Sequence, residues 1–372
     1  MYYVDYSTAL LGEAKSMSDG NIVHVVGTGT IGEPLIGLLC NAQEDLGIDE
    51  VTFYKHSPVL TDRPKVRELI KRGANLAVRE EKTDEFRELG LDPIYDSEEA
   101  IKRASVVIDC TPKNTGLANK EKFYQKYKSR VKGFMAQGSE FGFGKMYAVG
   151  INDDAITSKD QFIHIVSCNT HNIAVLIKTL GIKKKKENHL KEGRFLCIRR
   201  ANDISQVKSF IPSPEVGAHK DEKMGTHHAV DVYHLYKTLG VNLNVFSSAL
   251  KLNTQYMHCI WYDLKLDYKI TKDEVIQKFI DNPRVAVSHK KSANLVFSFG
   301  REHGHYGRLL DQTVIVIPTI HVVNDNEVVG FCFTPQDGNS ILSSVSMTER
   351  FLYPNEWQEK IKCLWPFLLQ EV

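Results

Sequence analysis

Ile22-Val23-His24-Val25-Val26-Gly27-Thr28-Gly29-Thr30-Ile31-Gly32 is the stretch whose reading decides the fold. Its first five residues form a short apolar, β-branched run, and an apolar segment carrying Leu35, Ile36, Leu38 and Leu39 follows its last glycine. The order is therefore strand, glycine turn, helix. Gly27 permits the tight turn, Gly29 lets the backbone approach a pyrophosphate, and Gly32 allows the helix to pack closely on the strand, with the helix N-terminus facing the phosphate charge. A GxGxxG alone is also compatible with a glycine-rich loop of no function; its place between a strand and a helix is what makes it a dinucleotide cradle.

Working outward, the second strand, Val51-Thr52-Phe53-Tyr54, delivers its next residues beside an adenosine ribose. A carboxylate there would hold a 2′-hydroxyl, but the chain offers Lys55, His56 and Ser57. Lys55 could neutralise a 2′-phosphate and Ser57 could donate to it, which favours NADP or dual use over strict NAD; the other reading of Lys55 is an exposed lysine at a strand end. Helical patterns over residues 63–72, 83–89 and 97–103 alternate with strand patterns at 75–78, 92–95 and 106–110, and Thr111-Pro112 ends the last of these where a cofactor would cross the sheet edge. The expectation is an α/β fold whose first half is a Rossmann-type, doubly wound parallel sheet.

The chemistry is expected after Gln137-Gly138, in His164-Ile165-Val166-Ser167-Cys168-Asn169-Thr170-His171-Asn172. A β-branched strand hands Cys168 to a polar turn that opens a helical segment over residues 173–180. Unpaired N–H groups and the positive dipole end at a helix N-terminus stabilise a thiolate and offer hydrogen bonds to an oxyanion, so the position suits a nucleophile. The bland alternative is a small buried residue at a strand end. Beyond it, residues 195–200, 242–250 and 314–323 read as strands of a mixed or antiparallel sheet in an α+β catalytic domain, and 256–262 and 272–280 as helical. Arg199-Arg200 closes a strand, His227-His228 sits in a polar loop, and His258 lies in the amphipathic stretch Gln255-Tyr256-Met257-His258-Cys259. A thiolate, a candidate base, paired arginines able to grip phosphate and a nicotinamide-cofactor fold together indicate oxidation of a phosphorylated aldehyde.

Composition sets the frame. A chain of 372 residues, 42% hydrophobic and 25% charged, can bury a large core and divide into two domains. A net charge of +1 gives no general attraction to nucleic acid, and the basic run at 183–186 reads as a solvated turn. No apolar run approaches the length of a membrane span, and Met1-Tyr2-Tyr3-Val4-Asp5 lacks the pattern of a secretion signal. The seven cysteines are odd in number, scattered and free of any CxxC pair, which argues against a disulfide framework or a zinc site and for a reducing cytoplasm. Residues 1–20 read as an N-terminal extension.

At these residues the chain resembles the archaeal-type (class II) glyceraldehyde-3-phosphate dehydrogenases. The likeness runs with gaps from Ile22 to the C-terminus, through the glycine turn, Ile108-Asp109-Cys110-Thr111-Pro112, Gln137-Gly138, Val166-Ser167-Cys168-Asn169-Thr170, Ile198-Arg199-Arg200-Ala201, His227-His228 with Asp231-Val232, and Met257-His258. It implies a phosphorylating NAD(P)-dependent enzyme acting on glyceraldehyde 3-phosphate and inorganic phosphate, with Cys168 as nucleophile and His258 as general base. The cofactor set it implies is Gly27, Gly29, Thr30, Ile31, Gly32, Lys55, Thr111, Pro112, Gly138, Arg200 and Thr348; the substrate set is Ser167, Asn169, Thr170, Arg199, His227 and His228, with no metal. It also implies a homotetramer, and a division into a dinucleotide-binding domain (1–166), a catalytic domain (167–345) and a C-terminal helix (346–372) returning to the first. The chain departs from the family at His171, Asn172 and Val175, in the loop 217–225, around residues 335–344, and at Met347-Thr348-Glu349-Arg350. Two alternatives stand beside this reading: a semialdehyde dehydrogenase of the same thioester logic, and a non-enzymatic NADP-binding descendant.

Overall fold

The computed structural model describes residues 20–183, 187–204, 206, 210–335 and 337–372. The N-terminal extension up to residue 19 and residues 184–186 of the basic run lie outside the described residues.

The first half builds one eight-stranded sheet. Its strands are β1 (Ile22–Val26), β2 (Glu50–Tyr54), β3 (Asn75–Val78), β4 (Tyr95–Asp96), β5 (Val106–Asp109), β6 (Gly133–Gln137), β7 (Lys145–Tyr147) and β8 (Phe162–Ile165). They lie in the order β4-β3-β2-β1-β5-β6-β8-β7, all parallel, so the order reverses between β1 and β5, at the glycine turn. Helices α1 (Gly32–Asn41), α2 (Gln43–Leu46), α3 (Arg63–Lys71), α4 (Thr83–Glu88), α5 (Ser97–Arg103) and α6 (Thr115–Lys122) make the crossovers. Both faces of β1 are buried: Val23 and Val25 pack with Leu35 and Ile36 of α1, while Val26 packs with Ile101 of α5 and with Tyr124. That double burial is why the strand reads as a continuous apolar run. The doubly wound sheet predicted from the alternation is borne out.

The second half is a mixed sheet. Helix α7 (Cys168–Gly181) leads into β9 (Leu190–Arg199) and β10 (Glu215–Val216); α8 (His227–Lys237) into β11 (Val245–Lys251) and β12 (His258–Leu266); α9 (Lys272–Ile280) into β13 (Val285–Ser288). After α10 (Ala293–His303) come β14 (Thr313–Val316), β15 (His321–Val323), β16 (Glu327–Thr334), α11 (Gly338–Leu352) and α12 (Trp357–Lys360). The sheet order is β10-β11-β9-β12-β16-β14-β13, with β15 paired to β16. Helix α11 packs against α1, β5, β6 and β8 of the first half and against α7 of the second.

Three expectations need correction. Residues 256–262, read as helical, enter β12: His258, Ile260, Tyr262, Leu264 and Leu266 are buried and the residues between them are not, a period of two that only the longer window shows. The stretch 314–323 is two strands, because Ile317–Thr319, which contains Pro318, turns the chain between them. His227 and His228 do not sit in a polar loop but open α8.

Candidate active site

One cleft of about 640 Å³ runs along the edge of the parallel sheet where β1 ends. Gly27, Gly29, Thr30, Ile31, Lys55, Thr111, Pro112 and Gly138 line it from the first half; Ser167, Cys168, Asn169, Arg199, Arg200, His227, His228 and His258 line it from the second. The structure thus gathers residues scattered over more than 200 positions. It leaves out three expected members. Gly32 sits behind the turn, Thr170 is spent on a helix cap, and the Thr348 hydroxyl donates at 2.9 Å to the Ser344 carbonyl inside α11, so none of them lines the cleft.

The glycine turn fits a dinucleotide on geometric grounds. Gly27 has φ +101°, and a Cβ there would meet the Cys110 carbonyl oxygen at 3.2 Å. A Cβ on Gly32 would lie 2.1 Å from the Gly27 carbonyl oxygen, so only glycine lets α1 start where it does. At Gly29 an added Cβ would meet nothing within 4 Å, so its bare backbone faces the cleft, as a phosphate approaching α1 requires. The N-cap residue of α1, Ile31, makes no side-chain cap hydrogen bond. The Cys110-Thr111-Pro112 turn is held by buried Asp109, which accepts from the Thr111 N–H at 2.9 Å, Asn119 Nδ2 at 2.8 Å and Tyr124 Oη at 2.5 Å.

At the end of β2, Lys55 Nζ pairs with Asp62 at 2.9 Å, and Lys65 reaches the same carboxylate at 3.2 Å. All three line the cleft. Burial pushes the Asp62 carboxyl up, but the hydrogen bonds and charges of Lys55 and Lys65 outweigh it and hold the group below its ordinary value. A carboxylate therefore does reach this spot, delivered by the loop seven residues past Lys55 and invisible in the strand-end reading.

Cys168 is the first residue of α7, and the preceding Ser167 is its cap: Ser167 Oγ accepts the Thr170 N–H at 3.4 Å and bonds Thr170 Oγ1 at 2.8 Å. The polar turn predicted over 167–172 is thus the helix's own first turn. Asn339 of α11 donates to the Cys168 carbonyl at 3.0 Å and holds it from the far side. Burial pushes the Cys168 thiol up to about 11; Arg200 and Arg199 pull it down, and Asp337 and Asp203 oppose them. Burial thus works against the pull that the helix N-terminus and the two arginines exert on the thiol.

The partners of Cys168 divide into committed and exposed groups. The buried Arg200 guanidinium donates to the Asn202 carbonyl at 2.7 Å, the Tyr256 carbonyl at 3.3 Å and Asp203 Oδ1 at 2.8 Å, so of the two arginines expected to grip phosphate only Arg199 stands exposed in the cleft. His258 is buried, and its Nδ1 accepts the Arg200 backbone N–H at 3.2 Å. Burial, then Arg200, Arg199 and His228, hold its pKa well below the ordinary value, so the ring is neutral and its hydrogen sits on Nε2.

His228 belongs to a directional chain. Cys332 Sγ donates to Asn172 Oδ1 at 3.3 Å, Asn172 Nδ2 to Thr334 Oγ1 at 2.8 Å, Thr334 Oγ1 to Asn169 Oδ1 at 3.0 Å, and Asn169 Nδ2 to His228 Nε2 at 3.2 Å. With Nε2 accepting, Nδ1 carries the hydrogen toward Thr226 Oγ1 at 3.1 Å. Asn172, a departure from the family, is therefore a strut that orients Asn169. His171 is a second strut. Its Nδ1 donates to the Ser167 carbonyl at 3.0 Å, its Nε2 bonds Ser343 Oγ at 2.8 Å, and burial lowers its pKa to about 4.

The residues that sequence reasoning missed are Asp62 and the polar face of α11, Asn339, Ser340, Ser343 and Ser344. Their only signal was the i, i+4 spacing of Asn339 with Ser343 and of Ser340 with Ser344. Among the described residues no cluster of three or more His, Cys, Asp or Glu could hold a metal ion, and no helix is long and apolar enough to cross a membrane.

The chain matches no family model. It is 27% identical over 268 residues to the glyceraldehyde-3-phosphate dehydrogenase of Pyrobaculum neutrophilum, covering 71% of each chain. The enzymes of the same name from Metallosphaera sedula and Methanopyrus kandleri are each 29% identical, over 280 and 282 residues; the match covers 73% of this chain in both cases and 74% and 73% of theirs. These matches bear out the resemblance carried by the motifs: the chain is a divergent relative of the archaeal-type glyceraldehyde-3-phosphate dehydrogenases.

Proposed function

We propose that this chain oxidises glyceraldehyde 3-phosphate through a thioester on Cys168, with NADP or NAD as hydride acceptor and inorganic phosphate as second substrate, giving 1,3-bisphosphoglycerate. One observation carries the reading. Cys168 heads α7 in a cleft onto which the amino ends of α1, α7, α8 and α11 all open, through Ile31, Ser167, His227 and Ser340. Helix N-termini favour anions, and Arg199 and Lys113 add full positive charge, so the cleft suits a phosphorylated dinucleotide, a phosphorylated substrate and an attacking phosphate. The names of the relatives point to the same substrate. Residues 1–166 would then hold the dinucleotide, 167–345 the substrate, and 346–372 would return to the first part; by the same resemblance the enzyme works as a cytoplasmic homotetramer.

In this reading the Cys168 sulfur adds to the aldehyde carbon, and the thiol proton ends on the new hydroxyl of the thiohemiacetal. A bound nicotinamide supplies the hydride acceptor. N–H groups of the first turn of α7 face the oxygen as it sheds its proton, and His258 is the residue assigned to take that proton. With Nδ1 accepting the Arg200 N–H, the ring must change tautomer or release that contact to do so. Phosphate then attacks the thioester carbon, the sulfur leaves as a thiolate, and Arg199 and His227 at the exposed rim hold the phosphates.

Phosphate-dependent reduction of NADP or NAD with glyceraldehyde 3-phosphate tests the proposal, and preferential turnover of aspartate semialdehyde would replace it with the semialdehyde reading. The raised Cys168 pKa and the engaged His258 Nδ1 favour a second reading, a dinucleotide-binding descendant without turnover. Tight NADP binding with no acyl group trapped on Cys168 would establish that one instead.

A further inference from the structure

Gln137 ends β6 on the floor of the cleft and is 5% exposed. Its Nε2 donates to Ser344 Oγ of α11, and Ser344 Oγ donates its single proton to the Ser340 carbonyl at 2.6 Å. The hydroxyl can therefore offer Gln137 only a lone pair, which fixes the amide with its nitrogen toward α11. Oε1 faces the other way, buried and without a hydrogen-bond partner among the described residues. Buried acceptors are rarely left unmatched, so an aimed one in a binding cleft points to a ligand that donates an N–H or O–H there.

The strand order says which part of a dinucleotide would do so. The glycine turn after β1 takes the pyrophosphate, and the adenosine lies toward β2, where Lys55 and Asp62 stand. The other half must extend over β5 and β6. At about 4.8 Å per strand, Gln137 is roughly 10 Å from the turn, within reach of a nicotinamide ribose and ring. Gln137 also pairs in register with Ile165 of β8, three residues before Cys168, so it sits at the end where the nicotinamide must meet the nucleophile. Thr348, one of the expected cofactor residues, does not line the cleft.

We propose that Gln137 Oε1, aimed by Ser344, accepts the carboxamide N–H of the nicotinamide and so recognises the cofactor's redox-active end. The proposal rests on the dinucleotide reading above. Its test is equilibrium binding, followed by protein fluorescence, of NADP and NAD against their 3-acetylpyridine analogues, in which a methyl group replaces the amide nitrogen. Wild type is expected to bind the amide about tenfold better, the worth of one hydrogen bond to a buried acceptor. In Gln137→Met the amide dinucleotide falls to the analogue's affinity and the preference disappears, while ADP-ribose binds as in wild type. Should Gln137→Met fail to fold, Ser344→Ala carries the same test: the amide is free to turn and the preference drops below about threefold. A variant that keeps the tenfold preference, or a wild type that shows none, overturns the assignment of Gln137 alone. A wild type that binds neither dinucleotide nor ADP-ribose overturns the dinucleotide reading and this proposal with it.

Discussion

Ser343 of α11 bonds His171 Nε2 at 2.8 Å while its oxygen accepts the Val149 N–H at 3.1 Å. One hydroxyl thus ties the helix that begins at Cys168 to the segment that follows β7, and both ring nitrogens of His171 are used, the other on the Ser167 carbonyl. His171 stands three residues from Cys168, a spacing that puts the two on one face of a helix. Its two hydrogen bonds make it a brace of α7. Ser343→Ala should leave Nε2 buried and unmatched, at a stability loss of about 1–3 kcal/mol by chemical denaturation. The pH dependence of Cys168 alkylation should stay as in wild type; a shift would place His171 in the active site.

Burial holds the Cys168 thiol at about 11, so its thiolate fraction grows about tenfold per pH unit throughout the neutral range. Iodoacetamide should therefore alkylate Cys168 about tenfold faster for each unit from pH 7 to pH 10, with no inflection near 6.5, since His258 stays neutral there. A plateau below pH 8 would mean that the helix N-terminus and arginines prevail over burial. Cys168→Ser should abolish aldehyde oxidation and leave dinucleotide binding intact.

The first half of the fold was legible because its strands are buried on both faces and its turn needs glycine at Gly27 and Gly32 for steric reasons. Cys168 was legible because a polar N-cap follows a β-branched strand. Strand β12 was not: over seven residues its polar and aromatic side chains mimic a helical face, and the alternation shows only when Leu264 and Leu266 are included. Helix α11 was hidden for another reason. Ser344, Ser346 and Thr348 satisfy their hydroxyls on carbonyls four residues back, which lets a polar helix be buried where a burial pattern expects apolar residues. Asp62 reaches Lys55 only through the folding of a loop, which no periodicity records.

Asp62 neutralises part of the charge that Lys55 and Lys65 would offer a 2′-phosphate. Lys55→Ala should weaken NADP by about 1.5–3 kcal/mol and leave NAD nearly unchanged, the range for a hydrogen bond to a charged group. Asp62→Asn removes the competing carboxylate and should shift the NADP-to-NAD affinity ratio toward NADP. Calorimetric titration of both cofactors decides this: equal losses for the two in Lys55→Ala would make that lysine structural, and an Asp62→Asn shift toward NAD would make Asp62 a repeller of nothing but a holder of Lys55.

Glu349, in the segment that departs from the family near the C-terminus, is fully buried in α11, and neither carboxylate oxygen has a hydrogen-bond partner among the described residues. Burial pushes its pKa up to about 8, with Lys360 opposing. The sign follows from proton counting. Between its unfolded value of about 4.3 and a folded value of about 8, the native state keeps a proton that the unfolded chain has released, so stability falls as pH rises through that window. Glu349→Gln keeps the shape without the ionisable proton. At about 1.4 kcal/mol per unit, it should stabilise the protein by up to about 4 kcal/mol at pH 8, with the gain vanishing near pH 4. Denaturation midpoints of both proteins across pH 4–8 would show the difference opening with pH. A constant offset would mean that the gain comes from packing, and a gain largest at acid pH would mean that Glu349 is ionised in the native state.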